Sequence, residues 1–455
     1  MVDVDALDGV GAGFEHEGAG VLDSGAAGEK ASAAMPGCGA SGCDASEPFA
    51  PGSFFDGDAS AVLKELVRYR RDLHRIPELD FDLPETITYI ESVLQPLACE
   101  VTRPCRGCVC AFFDAGAERT TAIRADMDAL PITEATGCDF SSTHAGRMHA
   151  CGHDAHMAMA LAAATYVDRE LRERPGSLPR NVLFVFQPAE ETTGGAKTVC
   201  ESGVFERYRA DRIFGFHVWP DLPAGTVASC PGPLLARSSE THIAIQGEST
   251  HIAKTYGVSD TASHDAALAA ARFLVGERWL MSRLGKEEPC ICKFGLVQAG
   301  TVCNAVAGEA RLAGSLRVFS DKMFERAKGE LSDLLTQACA GTGCTGEVEF
   351  AEGYPPVTND AALYELAADA LPELSRVEEP LLIAEDFAFY QRYLPGVFFL
   401  LGVGEPAGAF TDPALTAAVG GLGFAHSALH TDTLIFDERI LLKGVSVYQR
   451  LVHVG

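Results

Sequence analysis

The stretch Val182-Leu183-Phe184-Val185-Phe186-Gln187-Pro188-Ala189-Glu190-Glu191 decides how this chain folds. Its apolar half reads as a buried strand, and polar groups follow directly. Short β-rich runs of the same texture recur at Val109-Cys110-Ala111-Phe112-Phe113, Ala122-Ile123-Arg124 and Ile213-Phe214-Gly215-Phe216. Helical stretches, among them Met157 to Leu171, separate them. Strands alternating with helices predict an α/β fold with a mostly parallel sheet. Such sheets carry reactive groups on loops beyond the carboxyl ends of their strands, and the chemically loaded segments here follow these runs.

Working outward, Val62 to Ile76 and Leu83 to Leu97 read as helices from their apolar spacing. Beyond Glu240 the order changes to strand (Thr241 to Gln246), helix (His264 to Met281), strands (Cys290 to Val297, Ala310 to Phe319), helix (Lys322 to Cys339) and strand (Glu347 to Phe350). That order predicts a smaller α+β unit with an antiparallel sheet. The α/β texture then resumes with helices at Asp360 to Leu371 and Glu385 to Leu394, a strand at Val397 to Leu401 and a terminal helix at Glu438 to Val454. Residues 58–238 and 351–455 therefore form one unit, into which residues 239–350 are inserted. Residues 1–57 are rich in Gly, Ala, Ser and acidic groups and poor in large apolar ones, which predicts a disordered tail.

Acidic residues outnumber basic ones 63 to 36 in 455 residues, a formal charge of -27. A surface so negative repels nucleic-acid backbones and anionic lipid, so neither is an expected partner. No basic segment leads into an apolar one, and no run approaches the length of a spanning helix. The 15 cysteines form no compact disulfide framework and point to a reducing, cytoplasmic setting. Cys105, Cys108 and Cys110 approach the spacing of a zinc knuckle, but with no second ligand pair nearby they read as buried free thiols.

The chemistry concentrates in Met148-His149-Ala150-Cys151-Gly152-His153-Asp154-Ala155-His156, which packs one thiol and three imidazoles into nine positions. Thiolate and neutral imidazole are ligands for first-row divalent metals. Four further segments place polar groups at strand ends: Asp126 and Asp128 in Arg124-Ala125-Asp126-Met127-Asp128, the pair Glu190 and Glu191, His217, and His430. Each has a plainer reading. Asp126 could cap a turn, Asp128 could pair with Arg124, the glutamates could be a solvated turn and His217 a satisfied side chain. Together they match what hydrolysis at a pair of metal ions roughly 3.5 to 4 Å apart requires: a bridging anion, terminal ligands and a spare carboxylate that takes a proton from water. Cys151 can bridge, and His153, Glu191, His217 and His430 can supply terminal ligands. Because neighbouring side chains diverge, one glutamate can bind metal while the other serves as general base.

These segments resemble the aminoacylase/carboxypeptidase family of metallopeptidases, in its amidohydrolase branch of hippurate hydrolases, indole-3-acetyl-amino-acid hydrolases and N-acetyldiaminopimelate deacetylases. The likeness runs from about Arg70 to Leu441 and includes Arg70-Arg71-Asp72-Leu73-His74 with Pro77-Glu78-Leu79, Arg124 to Pro131, Met148 to Asp154, and Phe186 to Glu191. It continues through Gly194-Gly195-Ala196, Asn304, Gly314-Ser315-Leu316-Arg317, Glu385-Asp386-Phe387, Pro395-Gly396, His430 and Phe436-Asp437-Glu438. The resemblance implies that Cys151, His153, Glu191, His217 and His430 hold two divalent ions (zinc, manganese, cobalt or nickel). It further implies that Glu190 is the acid/base and that Asp128 orients the ligands. His74, Pro77 and Glu78 are expected to be structural.

The same resemblance makes the inserted unit a lid and a homodimer surface. It gives His251 the task of holding the substrate carbonyl, and Asn304 and Arg317 that of binding the substrate's polar end, a guanidinium suiting a carboxylate. Arg317 lies in a strand pattern and could instead satisfy an interface acid. The chain departs from the family pattern after His251, where it reads Ile252-Ala253-Lys254-Thr255-Tyr256, and at Leu434, where an aromatic is usual. The expected activity is hydrolysis of N-acyl amino acids. A dipeptidase or aminopeptidase, and a metal-binding assembly protein without turnover, are the alternatives.

Overall fold

The structure, a computed structural model, describes residues 59–192, 194–406 and 423–455; the tail expected over residues 1–57 lies outside them. The chain enters through helices α1 (Ala59–His74) and α2 (Pro84–Leu94) and strands β1 (Glu100–Thr102), β2 (Val109–Phe113) and β3 (Thr120–Asp126). Helix α3 (His153–Glu173), strand β4 (Asn181–Gln187), short helices α4 (Gly195–Glu201) and α5 (Val204–Arg207), and strands β5 (Ala210–Pro223), β6 (Val227–Ser229) and β7 (Gly232–Leu235) follow. The smaller unit comprises β8 (Arg237–Gln246), α6 (Ala266–Leu284), β9 (Ile291–Ala299), β10 (Glu309–Val318), α7 (Asp321–Ala340) and β11 (Thr345–Phe350). Strand β12 (Val357–Asn359), helix α8 (Ala361–Ala370), strands β13 (Ser375–Arg376) and β14 (Gly396–Gly404) and helix α9 (Leu441–Leu451) close the described chain.

Among the described residues the main sheet runs in the order β1-β2-β4-β3-β5-β14-β6-β13. Its centre is parallel, at β4/β3, β3/β5 and β5/β14. Strand β2 lies antiparallel to β4, because the loop between β2 and β3 is too short for the crossover that parallel neighbours need. Strand β4 is buried along its whole length. Its side chains sort by parity: Val182, Phe184 and Phe186 join the core beneath α1, α3 and α9, while Leu183 and Val185 join the opposite core with Ile213 and Phe398. This is the period of two in a strand covered on both faces, and it makes each large side chain worth roughly 1.5–3 kcal/mol of burial.

The smaller sheet, in the order β11-β8-β10-β9, is antiparallel throughout. It shares a separate core with α6 and α7, built on Ile243, Ile245, Phe273, Leu312 and Leu331. Helix α6 starts at Ala266 rather than His264, because the Asp265 carboxylate accepts from the amides of Ala267 and Leu268. Two expected helices also differ. The segment Glu385 to Leu394 is a 3-10 helix at Asp386–Arg392, and the last helix begins as a 3-10 turn at Glu438–Ile440 before α9. In both, a carboxylate at the preceding residue caps an amide two positions on, which tightens the first turn.

Buried ion pairs tie α1 to α3 and to the chain's C-terminal part. Arg70 Nε donates to Asp154 Oδ2 at 3.2 Å, and Arg70 Nη1 lies 3.3 Å from Glu438 Oε1. His74 Nδ1 is 2.8 Å from Asp154 Oδ2, and its Nε2 is 3.4 Å from Glu134 Oε1. Burial opposes the charged ring, and Arg70 opposes it further, but Asp154 and Glu134 prevail and raise the His74 pKa from 6.5 to about 9. The other facing titratable ring, His149, stays neutral because burial lowers its pKa to about 3.

A group with a raised folded-state pKa stabilises fully below its unfolded pKa and loses that contribution as pH climbs through the folded value. For His74 the window runs from about 6.5 to about 9, and the contribution at acid pH is on the order of 3 kcal/mol. Urea unfolding of His74→Gln beside the parent protein is therefore expected to show a large stability deficit at pH 6 that shrinks steadily toward pH 9.5. A deficit independent of pH would mean that the ring acts by packing alone.

Candidate active site

At the carboxyl end of β3 the chain commits its polar groups to fixed partners. Arg124, with no exposed surface, donates to Asp126 Oδ2 at 2.6 Å, Glu385 Oε1 at 2.8 Å, Asp386 Oδ1 at 2.9 Å and Gln187 Oε1 at 2.8 Å. One guanidinium cannot neutralise three buried carboxylates. Against its burial, Asp126 is held well below the usual carboxylate range by Arg124, His153 and His156. Burial raises Glu385 and Asp386 despite Arg124, with mutual repulsion adding to it at Glu385.

The pairing of Asp128 with Arg124 left open by the sequence does not form. Asp128 Oδ1 and Oδ2 instead accept from the amides of Glu190 at 2.9 Å and Glu191 at 3.0 Å. Its carbonyl oxygen lies 2.7 Å from His153 Nδ1. One residue thus sets both the turn after β4 and the orientation of an imidazole on α3. Before that turn, Ala189 sits at φ 56°, a left-handed conformation costly for a residue with a Cβ, and His430 has φ 62°. Strain of this kind persists where surroundings over-determine the backbone, as at functional sites.

The thiol and imidazole run divides by its position on α3. Gly152, at φ 84°, begins the helix, and a Cβ there would stand 2.5 Å from Val218 Cγ2, so only glycine lets Cys151 and His153 approach β5. His156 turns away, with Nδ1 2.6 Å from Asp126 Oδ1 and Nε2 accepting from the Val218 amide at 2.9 Å. His149 is buried with neither ring nitrogen partnered. Spacing alone could not tell these two from His153.

The remaining donors converge. Cys151 Sγ is 3.3 Å from His217 Nε2 and 3.3 Å from His430 Nε2. Glu191 Oε1 is 3.3 Å from His430 Nε2 and 3.8 Å from His153 Nε2. The His217 Nδ1 is fixed by the Val218 carbonyl at 2.6 Å, and the His430 amide donates to the Ala150 carbonyl at 2.8 Å, so both rings turn Nε2 toward the thiol. Two ligand groups result, Cys151 with His153 and His217 and Cys151 with Glu191 and His430, and the sulfur belongs to both.

These residues fit a pair of metal ions. His153 Nε2 is buried without a hydrogen-bond partner, a costly state for a polar atom unless a cation satisfies it, and Glu191 Oε1 is buried with the His430 ring beside it at 3.3 Å. Burial lowers His217 to about 3, with His156 adding to it, which keeps the ring neutral and able to bind metal. Burial and the two glutamates raise the Cys151 thiol well above its ordinary value, a penalty that a bound cation reverses.

Glu190 lies beside this set, its Oε1 3.4 Å from the Asp386 amide and its carbonyl held by the Tyr354 hydroxyl at 2.6 Å. Burial, then the charges of Glu385, Glu191 and Asp386, push its carboxyl well above the usual range. A cleft of about 390 Å³ opens onto Cys151, Glu190, Glu191, His217 and His430, large enough for a small molecule.

Arg317 also lines the cleft, with Nη1 donating to the Leu382 carbonyl at 2.8 Å. His251 and Asn304 do not line it. They lie together on an exposed part of the smaller unit, where His251 pairs with Ala305 and the Ile252 amide donates to the Asn304 carbonyl at 3.2 Å. Glu78 accepts from the amides of Glu85 and Thr86 at the start of α2, in keeping with the structural role expected for its motif. Tyr354 and Trp219, further walls of the cleft, carried no signal in the sequence beyond being aromatic.

A doubly covered sheet whose strand ends gather a thiol, imidazoles and carboxylates around one cleft defines a hydrolase of the metallopeptidase class. The chain belongs to peptidase family M20/M25/M40, whose profile matches residues 122–453. It is 33% identical over 395 residues to the N-acetyldiaminopimelate deacetylase of Lactobacillus helveticus, covering 84% of this chain and 95% of that protein. The enzyme of the same name from Shouchella clausii is 33% identical over 375 residues, 80% of this chain and 96% of its own. The crystal structure of the Bacillus subtilis YXEP protein, described as a dinuclear metal binding peptidase, matches with a TM-score of 0.71 at 30% identity, over 87% of this chain and 98% of that one.

Replacing Asp128 by Ala removes the acceptor of two amides and leaves the ligand loop untethered. Divalent-metal affinity, read by competition with a chromogenic chelator, is expected to fall by roughly 10- to 100-fold with the far-ultraviolet circular dichroism retained. Unchanged affinity would show that the loop holds its shape without the carboxylate.

Proposed function

We propose that this protein hydrolyses the amide bond of N-acyl amino acids, releasing a carboxylic acid and a free amino acid. The observation that carries this reading is a carboxylate, Glu190, that lines the cleft within reach of His153 and Glu191 yet stands outside both groups that share Cys151. Cys151, His153, Glu191, His217 and His430 would hold two divalent ions, with zinc, manganese, cobalt and nickel all suited to this mixed donor set. When bound, such ions polarise a carbonyl and make water acidic enough to react at neutral pH. Glu190 takes the proton of the attacking water and returns it to the departing amine. Asp128 keeps Glu190 and Glu191 apart in their two tasks through the amides it holds.

Arg317 binds the substrate carboxylate, since one of its guanidinium donors is spent on Leu382 and the others remain for a ligand. Closure of the smaller unit over the cleft brings His251 to the carbonyl and Asn304 to the polar end of the substrate. An aminopeptidase needs a free acid for the substrate's ammonium group. Glu385, the further carboxylate of the cleft, is already engaged by Arg124, which favours acylated substrates. The relatives named as N-acetyldiaminopimelate deacetylases point the same way. The described cysteines are all free thiols, which suits the cytoplasm as its location.

Amine release from acetyl, benzoyl, indolyl and longer acyl amino acids, run beside free dipeptides, tests the reading together with elemental analysis. The parent protein is expected to cleave acylated substrates preferentially. Glu190→Gln is expected to lose at least about 100-fold in kcat while keeping its metal. Metal-replete protein that leaves the whole panel intact, or a Glu190→Gln variant as active as the parent, would sink it.

We further propose a homodimer through the smaller unit. Strand β9 is an edge strand with Leu296 and Val297 exposed, and Val275 and Trp279, one turn apart on α6, are 62% and 73% exposed. An open edge beside an apolar helix face favours pairing with a second copy. Sedimentation is expected to give a dimer for the parent and a monomer for Trp279→Glu; a monomeric parent at micromolar concentration would contradict it.

A further inference from the structure

Cys105 and Cys108 lie on the loop that leads into β2 and Cys110 on the strand itself, away from the ligand set. Cys105-Arg106-Gly107-Cys108 is a turn: the Cys108 amide donates to the Cys105 carbonyl at 3.3 Å, and Gly107 has φ 74°, as the third position of a type II turn requires. Such a turn holds its first and last Cα atoms within about 7 Å, inside the span that a disulfide bridges. The turn sets the Cys105 and Cys108 backbones side by side, and Cys108 Sγ lies 3.9 Å from Cys110 Sγ. Cys105 is partly exposed while Cys108 is fully buried, so one sulfur meets solutes and the other stands behind it. The neighbouring Cys108 thiol lowers the Cys105 pKa below the ordinary thiol value, and burial raises that of Cys108. That division into an outer attacking thiol and an inner resolving one is the working arrangement of a C-x-x-C pair.

The loop also touches the catalytic turn. A Cβ on Gly107 would stand 2.9 Å from Pro188 Cβ and 3.0 Å from the Phe81 carbonyl, so this backbone is pressed against the residue that opens Pro188-Ala189-Glu190-Glu191. Two residues further on, Val109 pairs with Phe186 in the ladder that delivers the same turn. The contact leaves no slack, and any rearrangement of the turn is passed to Pro188.

We propose that Cys105 and Cys108 form a reversible disulfide in exchange with low-molecular-weight disulfides, and that closing it displaces the turn carrying Glu190 and Glu191. The Cys105 thiolate attacks one sulfur of the small disulfide, whose S–S bond breaks and whose other half leaves as a thiol after taking up a proton. Cys108 then loses its proton and attacks the Cys105 sulfur of the mixed disulfide, releasing the second small thiol. Two protein thiols are oxidised and one small disulfide is reduced to two thiols. The effect on hydrolysis rests on the proposed function; the disulfide and the displacement do not.

The full-length, metal-replete protein is exposed to glutathione disulfide, quenched with an alkylating agent and peptide-mapped by mass spectrometry, with hydrogen exchange followed across residues 186–192. Expected are a Cys105–Cys108 cross-link reversed by dithiothreitol, several-fold altered exchange in that segment, and about a tenfold fall in kcat/KM on the acylated substrate. Cys108→Ser is expected to retain one glutathione on Cys105. Cys105→Ser, at the more exposed position, forms no cross-link and its exchange is insensitive to the oxidant. Both thiols alkylated as free under excess oxidant, or a Cys108–Cys110 link in their place, overturns the pair. A closed disulfide with unchanged exchange over 186–192 overturns the coupling. Absence of hydrolysis in the reduced protein counts against the proposed function alone.

Discussion

The site depends on a chain of buried polar contacts that starts at one guanidinium. Arg124, in the middle of the sheet, engages Asp126, Gln187, Glu385 and Asp386, which belong to three different segments. Those segments are the end of β3, the end of β4 and the turn before β14. A charge so placed is expensive to bury and tolerable only when its partners are exact in position, and removing one side of such a network leaves an uncompensated charge worth roughly 3–5 kcal/mol. The network therefore does for the sheet's carboxyl edge what apolar packing does for its middle: it permits one arrangement of the strand ends.

Asp128 extends that order into the cleft. Its two oxygens take the amides of Glu190 and Glu191, and its carbonyl positions His153, so the glutamate turn and α3 are referred to the same residue. The energetic conflict this creates is visible in the groups themselves. Burial raises Cys151 and Glu190 far from their ordinary values, while His153 Nε2 stays without a hydrogen-bond partner. Groups arranged against their own solvation mark a place built for a ligand that compensates them.

Much of this was readable from order along the chain. The buried strand leading to Glu190-Glu191, the alternation that gives the sheet, and the change of texture near Glu240 all express local periodicities, and each expected strand overlaps an observed one, although β5 runs on to Pro223 and the short strands β1, β6, β7, β12 and β13 had no expected counterpart. The five donors Cys151, His153, Glu191, His217 and His430 were nameable from their residue types and motifs, although His217 lies within β5 rather than at its end and His430 lies in a turn outside any strand or helix. What the sequence left open were choices between equals. Asp126 and Asp128 lie on the same side of one extended segment, and only the packed structure gives Arg124 to the first and the glutamate amides to the second. The three imidazoles of one run were likewise indistinguishable until packing tied both His156 nitrogens to Asp126 and Val218 and left His153 Nε2 open.

The sequence by itself determined the strands, the helices and the kinds of side chain at each strand end, because those follow from the spacing of apolar residues and the chemistry of single residues. Tertiary structure alone decided that Cys151 is common to both ligand groups, that Glu190 stands beside them, and that His251 and Asn304 lie off the cleft. The physical reason is separation along the chain: Cys151 and His430 meet through contacts between segments 279 positions apart. No local pattern encodes such a distance; it is settled by how the layers pack.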